Sequence, residues 1–200
     1  MKVLLVTDGF FHPPILGRLV LNATLRKMPG FSFDHVNSLE KLPADLEIFS
    51  ALVLHFHHKS ISPTALSTLD RFVQTGGGIL AIHAATASFK ETLPYFDILG
   101  GRFIGHEKVT KIEVINQNSQ IFSGIPNFSI SDELYIHEVN DQVLVHFSSK
   151  HESIEVPIVW TNTYGKGKVC YALPGHTTRS MINPTYKRVL QRALEWVCNK

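Results

Sequence analysis

The segment Gly76-Gly77-Gly78-Ile79-Leu80-Ala81-Ile82-His83-Ala84-Ala85-Thr86 joins a glycine turn to an apolar strand that ends on a histidine and small residues. In α/β proteins, a small-x-nucleophile-x-small pattern marks a sharp turn from strand to helix, which exposes one side chain at the edge of a parallel sheet. The side chain at that position is an imidazole. The segment therefore predicts an α/β fold with a functional histidine, His83, at a strand end.

Length and composition favour one domain that spans residues 1–200. At 44% hydrophobic residues, a chain of 200 residues can bury one sizeable core. The formal charge is only +2, from 19 basic and 17 acidic residues, and the basic residues form no run suited to phosphates. Apolar runs such as 79–82 are too short to span a bilayer. We therefore expect neither nucleic acid nor a membrane as partner, and a homo-oligomer is left open.

The first residues and the cysteines point to the cytoplasm. Residues 1–8 already read as a strand, which leaves no room for a signal peptide. Cys170 and Cys198 have neither zinc-ligand spacing nor a disulfide framework around them. We therefore expect a cytoplasmic protein whose two thiols are reduced.

The order of apolar segments predicts an open, flavodoxin-like sheet. Its strands are continuously apolar, as expected when helices cover both faces of a parallel sheet. The predicted strands are 2–7, 31–36, 51–57, 78–83, 156–162 and 168–173, and the predicted helices are 15–28, 63–74 and 184–197. Glycines between the last two strands suit an antiparallel hairpin. We therefore predict a mostly parallel sheet flanked by helices, with an antiparallel extension.

Polar residues follow the ends of several predicted strands. Ligands of parallel α/β sheets bind beyond the carboxyl ends of the strands, so the loops there should meet at one rim. The residues in those loops are His12, His55, His57, His83, His106, Asp132, Glu133, Tyr135 and His176. Histidine acts as an acid, a base or a metal ligand near neutral pH, and a carboxylate can orient it. Both acid–base and metal chemistry stay open.

Five motifs, in order, resemble the ThuA-like (trehalose utilisation) family. They are 75–86, 99–106, 132–135, 157–160 and 171–176, and Phe10-Phe11-His12 resembles an early aromatic-histidine motif of that family. The likeness runs from Val3 to Trp196. It implies a class I glutamine amidotransferase-like fold and a role in carbohydrate metabolism, with members linked to disaccharides and keto-sugar intermediates.

The chain departs from the amidotransferases of that superfamily at the residues that hydrolyse glutamine. Those enzymes carry a nucleophilic cysteine at the elbow and a His-x-Glu pair after a late strand. Here His83 occupies the elbow, and Gly175-His176-Thr177-Thr178 lacks the glutamate. Glutamine hydrolysis through a thioester is therefore disfavoured, because no thiolate is placed to attack.

The resemblance implies a sugar or keto-sugar glycoside as substrate, and the histidines and Glu133 predict an enzyme, a hydrolase or lyase, that acts on it by proton transfer. A keto group acidifies the neighbouring carbon, so bond cleavage needs mainly proton transfer and oxyanion stabilisation. The predicted catalytic residues are His83, His106, Glu133 and His176, and the predicted substrate contacts are Phe11, His12, Asp132 and Tyr135. For Asp132 the alternative is capping of a turn.

A divalent metal such as zinc could assist this chemistry, and His55 and His57 are its candidate ligands because alternation along a strand places them on one face. The alternative to an enzyme is a non-catalytic domain that binds a carbohydrate or a protein after loss of the elbow cysteine. Among the remaining residues, His137, His146 and His151 are expected at the surface, His35 is expected to be structural, and Trp160 is expected in the core.

Overall fold

Strands and helices alternate in the first half of the chain, and strands dominate the second half. The structure, a computed structural model, describes residues 1–8 and 15–199, so Phe11 and His12 lie outside the described residues. In chain order, the strands are β1 (Lys2–Thr7), β2 (Ser32–Val36), β3 (Ala51–His55), β4 (Gly78–Ile82), β5 (Gly101–His106), β6 (Thr110–Asn116), β7 (Phe128–Asp132), β8 (Tyr135–Val139), β9 (Leu144–His151), β10 (Ile154–Tyr164) and β11 (Gly167–Ala172). The helices are α1 (Ile15–Leu25), α2 (Pro63–Gln74), α3 (Leu93–Leu99), α4 (Thr178–Ile182) and α5 (Pro184–Cys198).

The main sheet has a parallel half and an antiparallel half. Its strand order is β2-β1-β3-β4-β11-β10-β9-β6-β7. The strands from β2 to β11 run parallel, whereas those from β11 to β7 alternate in direction. The predicted flavodoxin-like sheet with an antiparallel extension is therefore confirmed. Strands β5 and β8 form a separate antiparallel ribbon.

Local sequence signals set the bounds of α2. The Ser62 side chain accepts a hydrogen bond from the Ala65 amide, and Pro63 occupies the first turn, where its missing amide hydrogen costs nothing. After the helix, Gly76 takes a left-handed φ of 112°, which a residue with a side chain rarely adopts. The predicted helix 63–74 is confirmed at both ends.

The central strands and α5 are buried as their apolar patterns predict. Every residue of β3 and β4 is buried, because helices cover both faces of a parallel sheet. The buried face of α5 consists of Tyr186, Val189, Leu190, Ala193, Leu194, Val197 and Cys198. Trp160 is fully buried, which confirms its core position, and its indole Nε1–H donates to the Leu99 carbonyl oxygen at 2.9 Å. No helix among the described residues is long and apolar enough to cross a membrane.

Parallel pairing of β4 with β11 creates the rim at which the polar residues meet. Ile82 lies opposite Ala172 in the register, so the residues that follow, His83 and Leu173, leave the sheet side by side. The β5–β8 ribbon, with His106 opposite Tyr135, packs against this rim. The rim and the ribbon enclose the candidate site.

Candidate functional site

His83 lies in the sharp turn that the sequence predicts. A 3-10 turn, His83–Ala85, follows β4 directly, and His83 takes a left-handed φ of 49°. This conformation costs about 1–2 kcal/mol for a residue other than glycine, and such strain is found mostly at functional sites. The side chain is nevertheless fully buried instead of exposed. The reason is the β5–β8 ribbon, since the Tyr135 ring lies 4.2 Å from the imidazole between centroids.

The neighbouring strand β11 fixes the orientation of the His83 ring. Its Nδ1 lies 3.0 Å from the Leu173 carbonyl oxygen. A carbonyl oxygen only accepts hydrogen bonds, so Nδ1 carries the proton and donates it. The other ring nitrogen, Nε2, lies 3.6 Å from Oε2 of Glu133. His83 therefore presents Nε2 to the carboxylate.

Glu133 lies at the centre of a cluster of three imidazoles. Its Oε2 is 3.2 Å from Nδ1 of His176, and its Oε1 is 3.8 Å from Nδ1 of His106. The Glu133 side chain is only 13% exposed, whereas that of His106 is 46% exposed. The structure thus brings together all four side chains that the sequence predicts as catalytic, with His106 on the solvent side.

Asp132 positions two of these residues through their backbone. Its carboxylate accepts hydrogen bonds from the amides of Glu133 at 2.8 Å, of Gly175 at 3.0 Å and of His176 at 3.2 Å. Burial raises the pKa of Asp132, and these donors counteract part of the rise. These hydrogen bonds tie the β7–β8 loop to the loop after β11. Asp132 itself is fully buried and does not line the pocket beside Glu133. Its alternative role in a turn fits better than substrate contact.

A pocket of about 440 Å³ opens beside Glu133. Phe103 and Tyr135 form an edge-to-face aromatic wall, with ring centroids 4.6 Å apart. The Lys90 ammonium lies 5.2 Å from the Phe103 ring. Among the residues that the structure describes, the lining consists of His57, Ala87, Lys90, Phe103, His106, Glu133 and Tyr135. Tyr135, a predicted substrate contact, therefore lies in the pocket wall, and Lys90 is a pocket residue that no motif had indicated.

The structure separates His55 from His57. Strand β3 ends at His55, so His57 lies in the following loop and the alternation that predicts a shared face does not extend to it. His55 is fully buried, with Nε2 3.4 Å from the Gly175 carbonyl oxygen. His57 lines the pocket, where partial burial and the charge of Lys90 lower its pKa. Within residues 1–8 and 15–199, the group of three residues that could hold a metal is His83, Glu133 and His176.

Of the histidines expected at the surface, His146 is buried and His137 is half-buried. His146 sits between the hydroxyls of Ser119 and Thr161, at 2.7 and 2.8 Å. His137 packs against the Trp160 and Tyr171 rings, each 5.0 Å away between centroids. Burial lowers the pKa of His146 to about 4 and that of His137 to about 3. Alternation along β8 places His137 on the same side of the strand as the buried Tyr135, which could have predicted that it faces the interior. The sequence of β8 has no apolar pattern, however, that would have identified it as a strand.

The lack of a side chain at Gly175 allows His83 to pack directly against its backbone. A methyl group at Gly175 would lie 2.6 Å from Cβ of His83 and 3.0 Å from Cγ2 of Ile82. We expect Gly175→Ala to destabilise the fold by about 1–3 kcal/mol in urea unfolding, as overpacking does. Gly105→Ala is the matched control, because nothing lies within 4 Å of its added methyl group. Equal stability of the two variants would contradict the close packing of His83.

The parallel sheet, the strained turn and the histidine cluster beyond its strand ends define an α/β protein of the flavodoxin-like class. Residues 2–197 match the ThuA family, described as trehalose utilisation, and the chain belongs to that family. Membership indicates a role in carbohydrate metabolism. No curated protein matches the sequence.

Solved structures share the fold at low sequence identity. A ThuA-like protein of Parabacteroides merdae is 18% identical with a TM-score of 0.88, over 100% of this chain and 90% of that one. A cytoplasmic protein of Salmonella typhimurium is 16% identical with a TM-score of 0.77, over 98% and 99% of the two chains. A β-galactosidase of Bacillus circulans is 11% identical with a TM-score of 0.66, and 98% of this chain covers 30% of that enzyme.

Proposed function

We propose that this protein is an enzyme that cleaves a sugar or keto-sugar glycoside, as a hydrolase or lyase, by proton transfer. The observation that carries the proposal is the convergence of three imidazoles on the Glu133 carboxylate at the wall of a pocket. A volume of about 440 Å³ falls within the range of about 300–1,000 Å³ typical of small-molecule sites. Family membership supports a carbohydrate as the ligand.

His106 is the residue that we assign to proton transfer at the substrate. It lines the pocket, and at 46% side-chain exposure it can exchange protons with both substrate and water. Its Nδ1 donates to the Glu107 carbonyl oxygen at 3.1 Å, which orients the imidazole, and the Glu133 carboxylate lies 3.8 Å from the same nitrogen. His83 and His176 contact Glu133 from its other side and hold the carboxylate in place. The four residues act as one unit.

The pocket wall suits a sugar that carries a keto group. The half-buried Phe103 ring offers apolar surface to the C–H groups of a sugar ring, and the buried Tyr135 ring packs edge-to-face against it. When His106 removes a proton from the carbon beside the keto group, the C–H electrons pass to the keto oxygen. The Lys90 ammonium lines the same pocket and can stabilise the resulting oxyanion. Collapse of the enolate then expels the glycosidic oxygen, which takes up a proton.

A cytoplasmic location and a small-molecule carbohydrate partner belong to the same proposal. The similarity to the cytoplasmic Salmonella protein supports the location. Both cysteines are free and buried, and burial raises the pKa of Cys198 to about 12. Their thiols therefore take no part in the proposed chemistry.

Turnover of keto-glycosides tests the assignment. We expect His106→Ala and Glu133→Gln to lower kcat by about 10²–10⁴-fold, the usual contribution of a positioned acid or base. His151→Ala is the matched control, because His151 pairs with Glu107 at 3.7 Å outside the pocket. Mass spectrometry of a keto-glycoside panel measures the products. Unchanged turnover in both site variants would refute the roles, and saturable sugar binding without any product would favour the non-catalytic binding domain.

A further inference from the structure

We propose that His83, Glu133 and His176 bind one divalent cation of the zinc class. The inference rests on the proposed function, since these residues belong to the same site. One ligand atom from each residue, two imidazole nitrogens and a carboxylate oxygen, lies within 4.8 Å of the other two. Imidazole nitrogen favours zinc and related transition metals over magnesium or calcium, which prefer oxygen ligands.

The spacing of the ligand atoms fits a tetrahedral cation. Zinc bonds of about 2.0–2.2 Å to nitrogen and oxygen place neighbouring tetrahedral ligands about 3.3–3.6 Å apart. In the structure, Oε2 of Glu133 is 3.2 Å from Nδ1 of His176 and 3.6 Å from Nε2 of His83. Charge-assisted hydrogen bonds between nitrogen and carboxylate are shorter, at about 2.7–2.9 Å. Both histidine nitrogens thus lie near tetrahedral ligand spacing from the carboxylate oxygen, and the ligand atoms of the three residues all lie within 4.8 Å of one another.

The protonation of His83 supports the same conclusion. Its Nδ1–H donates to the Leu173 carbonyl oxygen, so in the neutral ring the lone pair on Nε2 is the group that faces Glu133. Metal-bound histidines commonly donate the N–H of the ring nitrogen that does not bind the metal to a backbone carbonyl oxygen, because this hydrogen bond fixes the tautomer and the orientation of the ring. The hydrogen bond at Nδ1 thus directs Nε2 of the buried His83 toward the Glu133 carboxylate.

The cluster is rigid on the protein side and open on the pocket side. Asp132 fixes the backbone of both Glu133 and His176 through their amides. Glu133 also lines the pocket, so a fourth position can face the substrate. Three protein ligands with one open position are the arrangement of catalytic zinc sites. A cation there would polarise a sugar carbonyl or hydroxyl oxygen.

His106 lies outside this ligand set. Its Nδ1 is nearer to Oε1 of Glu133, at 3.8 Å, whereas His83 and His176 both approach Oε2. It therefore stays available for proton transfer when the cation is bound. This separation makes His106→Ala a variant that tests turnover without removing a metal ligand.

Metal titration of the full-length, tag-free protein after treatment with a chelator tests the inference. We expect the wild type to take up one equivalent of Zn²⁺ by calorimetry and to develop a visible absorption band with Co²⁺. Glu133→Gln, which keeps the size of the side chain, and His176→Ala should weaken metal binding by about 100-fold or more. This loss exceeds the one caused by removal of a residue that only hydrogen-bonds to a metal ligand. His106→Ala and His151→Ala should bind like the wild type.

Two results would overturn the cation site. One is the lack of stoichiometric uptake of either ion by the wild type, and the other is wild-type affinity in both ligand variants with unchanged circular dichroism. Conversion of a keto-glycoside without any uptake of metal would remove the cation and leave the proposed function intact. Conversely, stoichiometric binding without turnover of any sugar would refute the proposed function and retain the cation site.

Discussion

Acidification from pH 7 to pH 5 is expected to lower the free energy of unfolding steeply, because two histidines are held in their neutral form. His146 is buried, and His137 is half-buried among aromatic rings. Burial lowers the pKa of His146 to about 4 and that of His137 to about 3. In the unfolded chain, both histidines titrate near pH 6.5. Below that pH the unfolded state binds protons that the folded state does not. Each histidine therefore removes up to about 1.4 kcal/mol of stability per pH unit.

The environment of His146 explains why it stays neutral. A neutral imidazole has one donor and one acceptor nitrogen, and the hydroxyls of Ser119 and Thr161 can match either role. A second ring proton would place a positive charge in a buried site, and this desolvation is what lowers the pKa of His146. The loss of stability should continue down to about pH 4, where the folded histidine becomes protonated.

Urea unfolding at pH 7, 6 and 5 measures this dependence. Replacement of His146 by glutamine keeps a polar side chain but removes the titrating group, so the stability of His146→Gln should fall less steeply, by up to about 1.4 kcal/mol per pH unit. His151→Gln is the control, because this histidine is 30% exposed in its side chain. The same slope for wild type and His146→Gln would contradict the buried, neutral state of His146.

The parallel half of the fold was predictable because its signals are local. The glycines and the apolar run before His83 specify β4 and its elbow within one short segment. Ser62, Pro63 and Gly76 likewise set the ends of α2 without help from distant residues. Such signals can be read from one sequence without an alignment, because the backbone conformation there depends on residues only a few positions away.

The β5–β8 ribbon and the fit around His83 were not predictable in this way. Ribbon pairing joins Gly101 to Val139, across a stretch of chain that contains two strands of the main sheet. The ribbon covers His83 with the Tyr135 ring and directs His137 toward the Tyr171 ring of the main sheet. Motif order could predict that Glu133, His106 and His176 meet at one rim, but not which of them contacts solvent. That distribution depends on packing between distant segments.

Asp132→Asn is expected to disable the site, although Asp132 neither lines the pocket nor belongs to the cluster of His83, His106, Glu133 and His176. The carboxylate accepts from the amides of Glu133, Gly175 and His176, and an asparagine would turn an N–H₂ group toward at least one of these donors. A buried amide without a partner costs about 1–3 kcal/mol, and hydrogen bonds to a charged acceptor contribute about 1.5–3 kcal/mol each. Relief of the desolvation that raises the pKa of Asp132 offsets part of this loss. We expect a net destabilisation of about 2–4 kcal/mol.

The effect on turnover should exceed the effect on stability, because Asp132 fixes both Glu133 and His176. A displacement of about 1 Å at a reacting group can cost about 10²-fold in rate, even when the altered residue does not touch the substrate. The measurement is kcat/KM on a keto-glycoside well below the melting temperature of the variant. Asp45→Asn is the matched control, since the Asp45 side chain makes no capping hydrogen bond. If Asp132→Asn lowers the melting temperature but leaves kcat/KM at the wild-type value, Asp132 supports the fold alone and the loops hold Glu133 and His176 without it.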